Sequence, residues 1–243
     1  GAAKVFYILV SMEILTVMFL IPSFTAGSIA GEREKQTLDI LLTTTLTPGE
    51  IIMGKLMSSI SMVFLLVVSS LPIISIVFTI GGIGMEDMIM FMLEILIISF
   101  FIGSMGMLAS TMLKKTVQAT VCSFAQIVLV CGGTVVVVIV AYIAAKLYYY
   151  NCMGAVGSMP DVSSVLFILL INPAFTIVQM TAKHCESISV ISKAAGMLNG
   201  SMPSTIVDNW FRLSMISQMI VTVILLRISA ILLKPTRKKK TVS

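Results

Sequence analysis

The sequence predicts an all-α fold, a polytopic transmembrane helical bundle, and three observations carry that prediction. The chain of 243 residues is 58% hydrophobic and only 11% charged, against about 25% charged in soluble globular domains. Its mean hydropathy is +1.07. Five apolar stretches are each long enough to cross a bilayer, which takes about 20 residues: 5–30, 51–80, 88–113, 117–145 and 213–233. They are read as one transmembrane domain over 1–243.

Charge sets the predicted orientation. The net charge of +5 does not point to nucleic acid, because much of the excess sits in Arg237, Lys238, Lys239 and Lys240, with Lys234 nearby. A basic tail directly after an apolar span is the expected cytoplasmic anchor. Arg33, Lys35 and Lys55 lie between the first two spans, and Lys114 and Lys115 between the third and fourth. The connection GGIGMED carries Glu86 and Asp87 but no Lys or Arg. The basic connections are therefore predicted inside and GGIGMED outside, in a multi-pass plasma-membrane protein with a cytoplasmic C-terminus. A sixth apolar stretch, 165–180, is shorter and contains Asn172-Pro173. Its crossing would put the basic tail outside. It is predicted instead as an outer interfacial or re-entrant helix, broken where Pro173 removes a helical hydrogen bond. Segment 146–211 then forms an outer subdomain. The same counting puts Gly1 outside, so six spans are expected in the native subunit, five of them in this chain.

Residues 31–55 read GEREKQTLDILLTTTLTPGEIIMGK and interrupt the apolar runs. Leu38, Leu41, Leu42 and Thr45 recur at helical spacing, while Glu32, Glu34, Lys35, Gln36 and Asp39 fill much of the remainder. That pattern predicts a short amphipathic helix over 32–46. Acids at its start suit the positive end of the helix dipole. Thr47 as N-cap, Pro48 at the first helical position and Glu50 three residues after the cap predict a new helix running into the second span. Two readings of the amphipathic helix stand open. It covers lipid headgroups, or it docks in a groove of a soluble protein. Its mixed charge suits the groove better than anionic lipid.

The same segment closely resembles the signature of type-2 ABC exporter permeases. That signature has an acidic–basic pair, T-L-[DE]-x-L-L, a T-P-type turn and E-I-[LIV]-x-G-K. Glu32, Glu34, Thr37, Leu38, Asp39, Leu41, Leu42, Thr43, Glu50, Gly54 and Lys55 match it, and the order of spans is similar over most of the chain. Gln36 departs from it where glycine is frequent, and Thr45 where proline is frequent. The resemblance implies the permease subunit of an ABC transporter, paired with a second permease subunit in a homo- or heterodimer and exporting a substrate. It also implies that the polar helix is a coupling helix seated in a groove of an ATP-binding-cassette ATPase subunit. Its site residues would be Glu32, Arg33, Glu34, Thr37, Leu38, Asp39, Leu41, Leu42 and Thr43. Leu38, Leu41 and Leu42 would fill the groove; Glu32, Arg33, Glu34 and Asp39 would set the register against partner charges. The chain has no GxxxxGK[ST] phosphate cradle. It is therefore not expected to be an enzyme or to hold a cofactor, with ATP and Mg on the partner ATPase.

Ionisable groups inside spans are functional candidates by default. Glu13 lies about eight residues, roughly 12 Å, into the first span, and Glu94 at a comparable depth in the third. Each has two readings: the lining of a substrate path for polar or cationic cargo, or a structural bond to a neighbouring span. Arg227, near the inner end of the last span, is expected to snorkel to the interface. Trp210 with Arg212, and Tyr148, Tyr149 and Tyr150, are expected as interfacial anchors. Pro22, Pro72 and Gly132-Gly133 are candidate bends. Cys122 and Cys131 read as packing residues. Cys152 and Cys185 can pair only if both lie outside, and spacing does not decide it. No metal site is expected at His184, because Cys185 and Glu186 point away from it on any regular helix. An intramembrane enzyme finds no support, since HExxH, GxSxG and paired aspartates within spans are missing. A non-transporting scaffold or immunity-type protein would share the spans, and segment 32–46 is what separates it from a permease.

Overall fold

Inside a bilayer every backbone N–H and C=O must bond within the protein, so apolar runs of this length fold as helices. The computed structural model describes residues 2–43, 45–80, 84–152, 160–185, 190–198, 200 and 202–233. Five helices are long and apolar enough to span: α1 Ala2–Glu34, α3 Pro48–Ile80, α4 Met85–Met112, α5 Thr116–Cys152 and α9 Trp210–Leu233. They correspond to the five predicted spans, and the described residues contain no β-strand. The short α2, Leu38–Leu42, lies between α1 and α3. With 37 residues, α5 is about 55 Å long at 1.5 Å per residue. That exceeds the roughly 30 Å of a hydrocarbon core, and it overruns its predicted end.

Helix α4 is the hub, packing on α1, α9, α5 and α3. Phe6, Val10, Ile14, Val17 and Ile21 recur every three or four residues along α1, which places them on one face. They meet Phe91, Ile95, Ile98 and Ile102 of α4, with Val63 and Val67 of α3 closing the cluster. The Phe6 and Phe91 rings meet edge-on at 5.9 Å. Lipid tails are as apolar as these side chains, so helix association rests on close packing and interhelical bonds. Both are present on the C-terminal half of α4. A Cβ at Gly103 would lie 2.6 Å from Leu56 Cδ1, and one at Gly106 would overlap Thr25 Oγ1. One turn on, the Ser110 hydroxyl oxygen accepts from the Ile29 and Ala30 amides, both at 2.9 Å. Ala26 and Ala30 continue the small-residue seam to Ala119 of α5.

The segment after α5 is helical in pieces: a 3-10 helix Ser163–Ile171, α6 Pro173–Cys185, α7 Val190–Met197 and α8 Ser204–Asp208. None of them qualifies as a span. Asp161 starts the first piece by accepting from the Ser163 amide at 2.8 Å. That amide, and after it the Ser163 hydroxyl, holds the Asp161 carboxyl below the usual range. The break falls at Asn172, which is extended with ψ 108°, as the preference of the residue before a proline requires. Asn172 Oδ1 accepts from the Phe175 amide at 3.1 Å and so caps α6. Its Nδ2 donates to Cys131 O at 2.9 Å and to Thr134 Oγ1 at 2.7 Å, which ties the break to the middle of α5.

Trp210 departs from the anchor role expected of it. It is 1% exposed and lies among Leu166, Leu169, Ile191, Ala195 and Leu198. Its ring stacks on Phe167 at 6.2 Å. The 3-10 helix and α7 converge over the start of α9 and cover it, so it forms the centre of this subdomain. Residues 146–152 belong to α5 and 210–211 to α9, so the subdomain's own helices lie within 163–208. Residues 81–83, the Cys152–Cys185 pairing, the side chains at His184 and Cys185, Glu186, and the basic tail from 234 onward lie outside the described residues and side chains.

Gly106→Ala should cost about 1–3 kcal/mol, as overpacking does in a tight core. Denaturant unfolding in detergent measures this, and adding Thr25→Ala should recover part of the loss.

The clamped polar connection

The expected helix over 32–46 is divided in two, and the backbone shows why. The Thr37 amide bonds to Glu32 O at 2.9 Å and the Gln36 amide to Arg33 O at 3.2 Å. These are the two bonds of a Schellman closure, which needs a left-handed residue at the position after the cap. Gln36 supplies it with φ 58°. Helix α1 therefore ends at Glu34, and the chain restarts as α2 only at Leu38. Glu32, Arg33 and Glu34 are the last turn of a span rather than the start of a surface helix. The departure from glycine at Gln36 falls on the one described non-glycine residue with positive φ.

The predicted start of α3 is present atom for atom. The Thr47 amide donates to Glu50 Oε2 at 2.7 Å, and the Glu50 amide donates back to Thr47 Oγ1 at 3.4 Å. This reciprocal pair satisfies two amides that the helix itself leaves without acceptors.

Each charge in the last turn of α1 has a partner within the chain. Glu32 Oε1 accepts from Lys55 Nζ at 2.8 Å, the one ion pair among the described residues. Its Oε2 accepts from the Thr37 hydroxyl. Arg33 Nη1 donates to Thr111 O at 3.2 Å and Leu113 O at 3.1 Å, capping the C-terminal carbonyls of α4. A cation there also complements the helix dipole. Glu34 Oε2 accepts from the Thr116 amide at 3.1 Å and hydroxyl at 2.8 Å, at the positive end of α5. One turn thus fastens the ends of α3, α4 and α5.

The leucines point opposite to the expected direction. Leu38 is 8% exposed and sits with Ile29, Ile51, Ile52, Leu56 and Met107, while Leu41 and Leu42 pack partly buried against the same cluster. They bind the connection to the bundle. Solvent-facing apolar surface comes from Ile40, 69% exposed, and Leu46, 51% exposed, with Asp39, Thr43 and Thr45 also exposed. Sequence reasoning passed over Ile40 and Leu46. Ile40 lies two residues from Leu38 and Leu42, on the far side of the turn at 3.6 residues per turn. An apolar residue on an otherwise polar face was the available signal.

The two acids inside spans are not brought together by any hydrogen bond. Glu13 is half-buried between α1 and α3 and accepts from Ser70 Oγ at 2.6 Å, the bond to a neighbouring span that one reading required. It borders a cleft of about 230 Å3 with Met12, Thr16 and Leu66. Glu94 is 1% exposed, and neither carboxyl oxygen has a hydrogen-bond partner among the described residues.

Four apolar spans packed on a central fifth, with a polar turn bonded to α3, α4 and α5, define an all-helical, multi-pass membrane domain that holds one short segment outward at one end. A family model described as ABC-2 family transporter protein matches residues 7–234. The chain belongs to that family and is a transmembrane ABC transporter permease, a non-catalytic membrane subunit. A search of curated proteins gives no match.

Gln36→Gly should stabilise the protein by up to about 1 kcal/mol, since a side chain in left-handed backbone costs about 1–2 kcal/mol and glycine's extra unfolded-state freedom offsets part of the gain. Denaturant unfolding in detergent checks the sign.

Proposed function

We propose that this permease subunit exports a substrate across the plasma membrane, driven by ATP hydrolysis on a separate ATP-binding-cassette chain, and that the two meet at residues 39–46. The observation that carries the reading is the division of labour within the connection. Leu38, Leu41 and Leu42 hold it to the bundle, and Glu32, Arg33 and Glu34 clamp its base, while Ile40 and Leu46 stay outward, exposed among the described residues. Two large apolar side chains on a fastened polar segment suit a protein groove, where a few central anchors supply most of the affinity. In this reading the coupling contact consists of Ile40 and Leu46, with Asp39 and Thr43 beside them. Glu32, Arg33 and Glu34 act within the subunit.

The partner ATPase supplies the nucleotide site with its ATP and Mg. A second permease subunit completes the transporter. The connection and the C-terminus face the cytoplasm, as the excess of Lys and Arg on that side favours. Glu94 is the candidate for the substrate path, because a buried carboxyl without a partner is costly to keep for packing alone. Glu13 already has Ser70.

Ile40→Asp should reduce recovery of the ATP-binding-cassette subunit in co-purification by about tenfold or more while leaving the unfolding midpoint of the permease unchanged. Leu38→Asp should lower that midpoint. Unchanged co-purification by Ile40→Asp would contradict the docking surface.

A further inference from the structure

At the same end of the bundle as α2, helices α3 and α9 leave a groove of about 240 Å3 between them. Ile52, Met53, Val223, Leu226 and Ala230 form its apolar wall, and Arg227 is its cation. Arg227 is exposed and makes no hydrogen bond or ion pair among the described residues. Two other basic residues at this end differ: Arg33 is spent on α4 carbonyls and Lys55 on Glu32.

The groove is graded in polarity and set at a definite depth. It begins at Gly49, the second residue of α3. Arg227 lies six residues before the end of α9 at Leu233, about 9 Å along the axis. An arginine this close to the end of a span can extend its guanidinium to the headgroup layer. The apolar wall continues from there toward the hydrocarbon. The nearest acid along α3, Glu50, is engaged by the Thr47 amide and hydroxyl at 2.7 and 2.8 Å. A guanidinium beside an apolar channel at headgroup depth is complementary to an amphiphile with an anionic head. Arginine's planar fork matches phosphate oxygens in pairs, and basic pockets between spans select anionic headgroups.

We propose that the α3–α9 groove holds one anionic phospholipid, its phosphate on Arg227 and one acyl chain along Ile52, Met53, Val223 and Leu226. The lipid braces α9 against the first turn of α3, directly behind the clamped connection. That its leaflet is the cytoplasmic one rests on the orientation proposed above; the binding itself does not.

Native mass spectrometry of the purified permease tests this, with phosphatidylglycerol and phosphatidylcholine added in equal amounts and no ATPase subunit present. The wild type should retain one phosphatidylglycerol in preference to phosphatidylcholine, and excess inorganic phosphate should leave it in place. Arg227→Gln should reduce retention about tenfold or more, the scale of losing a charged hydrogen bond. Arg227→Lys should keep part of it. Ala230→Phe, which fills the groove but leaves the guanidinium, should also reduce it. Equal retention of the two lipids by the wild type, or undiminished retention by Arg227→Gln, would overturn the proposal. So would displacement by phosphate, which would make the groove a site for free anions. Because the ATPase subunit is absent, failure here leaves the docking proposal standing, and failure of docking leaves this one standing.

Discussion

The ion pair between Glu32 and Lys55, 2.8 Å long, closes the excursion that the chain makes between its first two spans. Both partners keep about a third of their side-chain surface in solvent, 32% for Glu32 and 27% for Lys55. Such a pair contributes at most about 1 kcal/mol, and its role is geometric as well as energetic. It fixes the end of α1 against the first turns of α3, and the neighbouring bonds then fall into place. Helix termini leave up to four amides or carbonyls each without partners. Arg33 supplies donors to the end of α4, and Glu34 supplies an acceptor to the start of α5. Two adjacent side chains therefore cap two helices, and Glu32 beside them ties in a third.

That arrangement leaves little of the signature's charge for an outside partner. What it leaves is position. With its base clamped, Leu38 buried and Leu41 and Leu42 packed against the bundle, the connection presents Ile40 and Leu46 from a fixed platform. A push delivered there, on the proposed reading, acts on the ends of α1 and α3 together. Helix α1 continues without a break from Glu34 back to Phe6. It meets α4 at glycines that leave room for the Thr25 side chain and no room for a Cβ of their own at Gly106. Packed helices of this kind move as bodies more readily than they deform.

Much of this was legible in the sequence, for identifiable reasons. The spans are set by length and hydropathy alone. The capping box at Thr47–Glu50 and the break at Pro173 are set by local covalent constraints, and both stand where the residues put them. Two features were not legible. Amphipathic spacing shows that Leu38, Leu41 and Leu42 share a face, but periodicity carries no information on whether that face meets the bundle or a partner. Charge in a signature likewise looks available when its neighbours in sequence are polar. The acceptors of Arg33 and the donors to Glu34 lie near residues 111–116, about 80 positions away, and only the packing of α1 against α4 and α5 brings them close. Trp210 shows the same limit, since the residues that cover it, from Leu166 to Leu198, lie on other helices that only the fold brings over it.

The clamp depends on the coupling between Glu32 and Lys55, which a double-mutant cycle isolates. Glu32→Gln, Lys55→Met and the double variant would be compared by denaturant unfolding of the purified permease. The account predicts that the two losses fail to add, with a coupling energy of about 0.5–1 kcal/mol. Losses that add to within about 0.3 kcal/mol would show that the pair does not hold the connection, and would contradict the clamp.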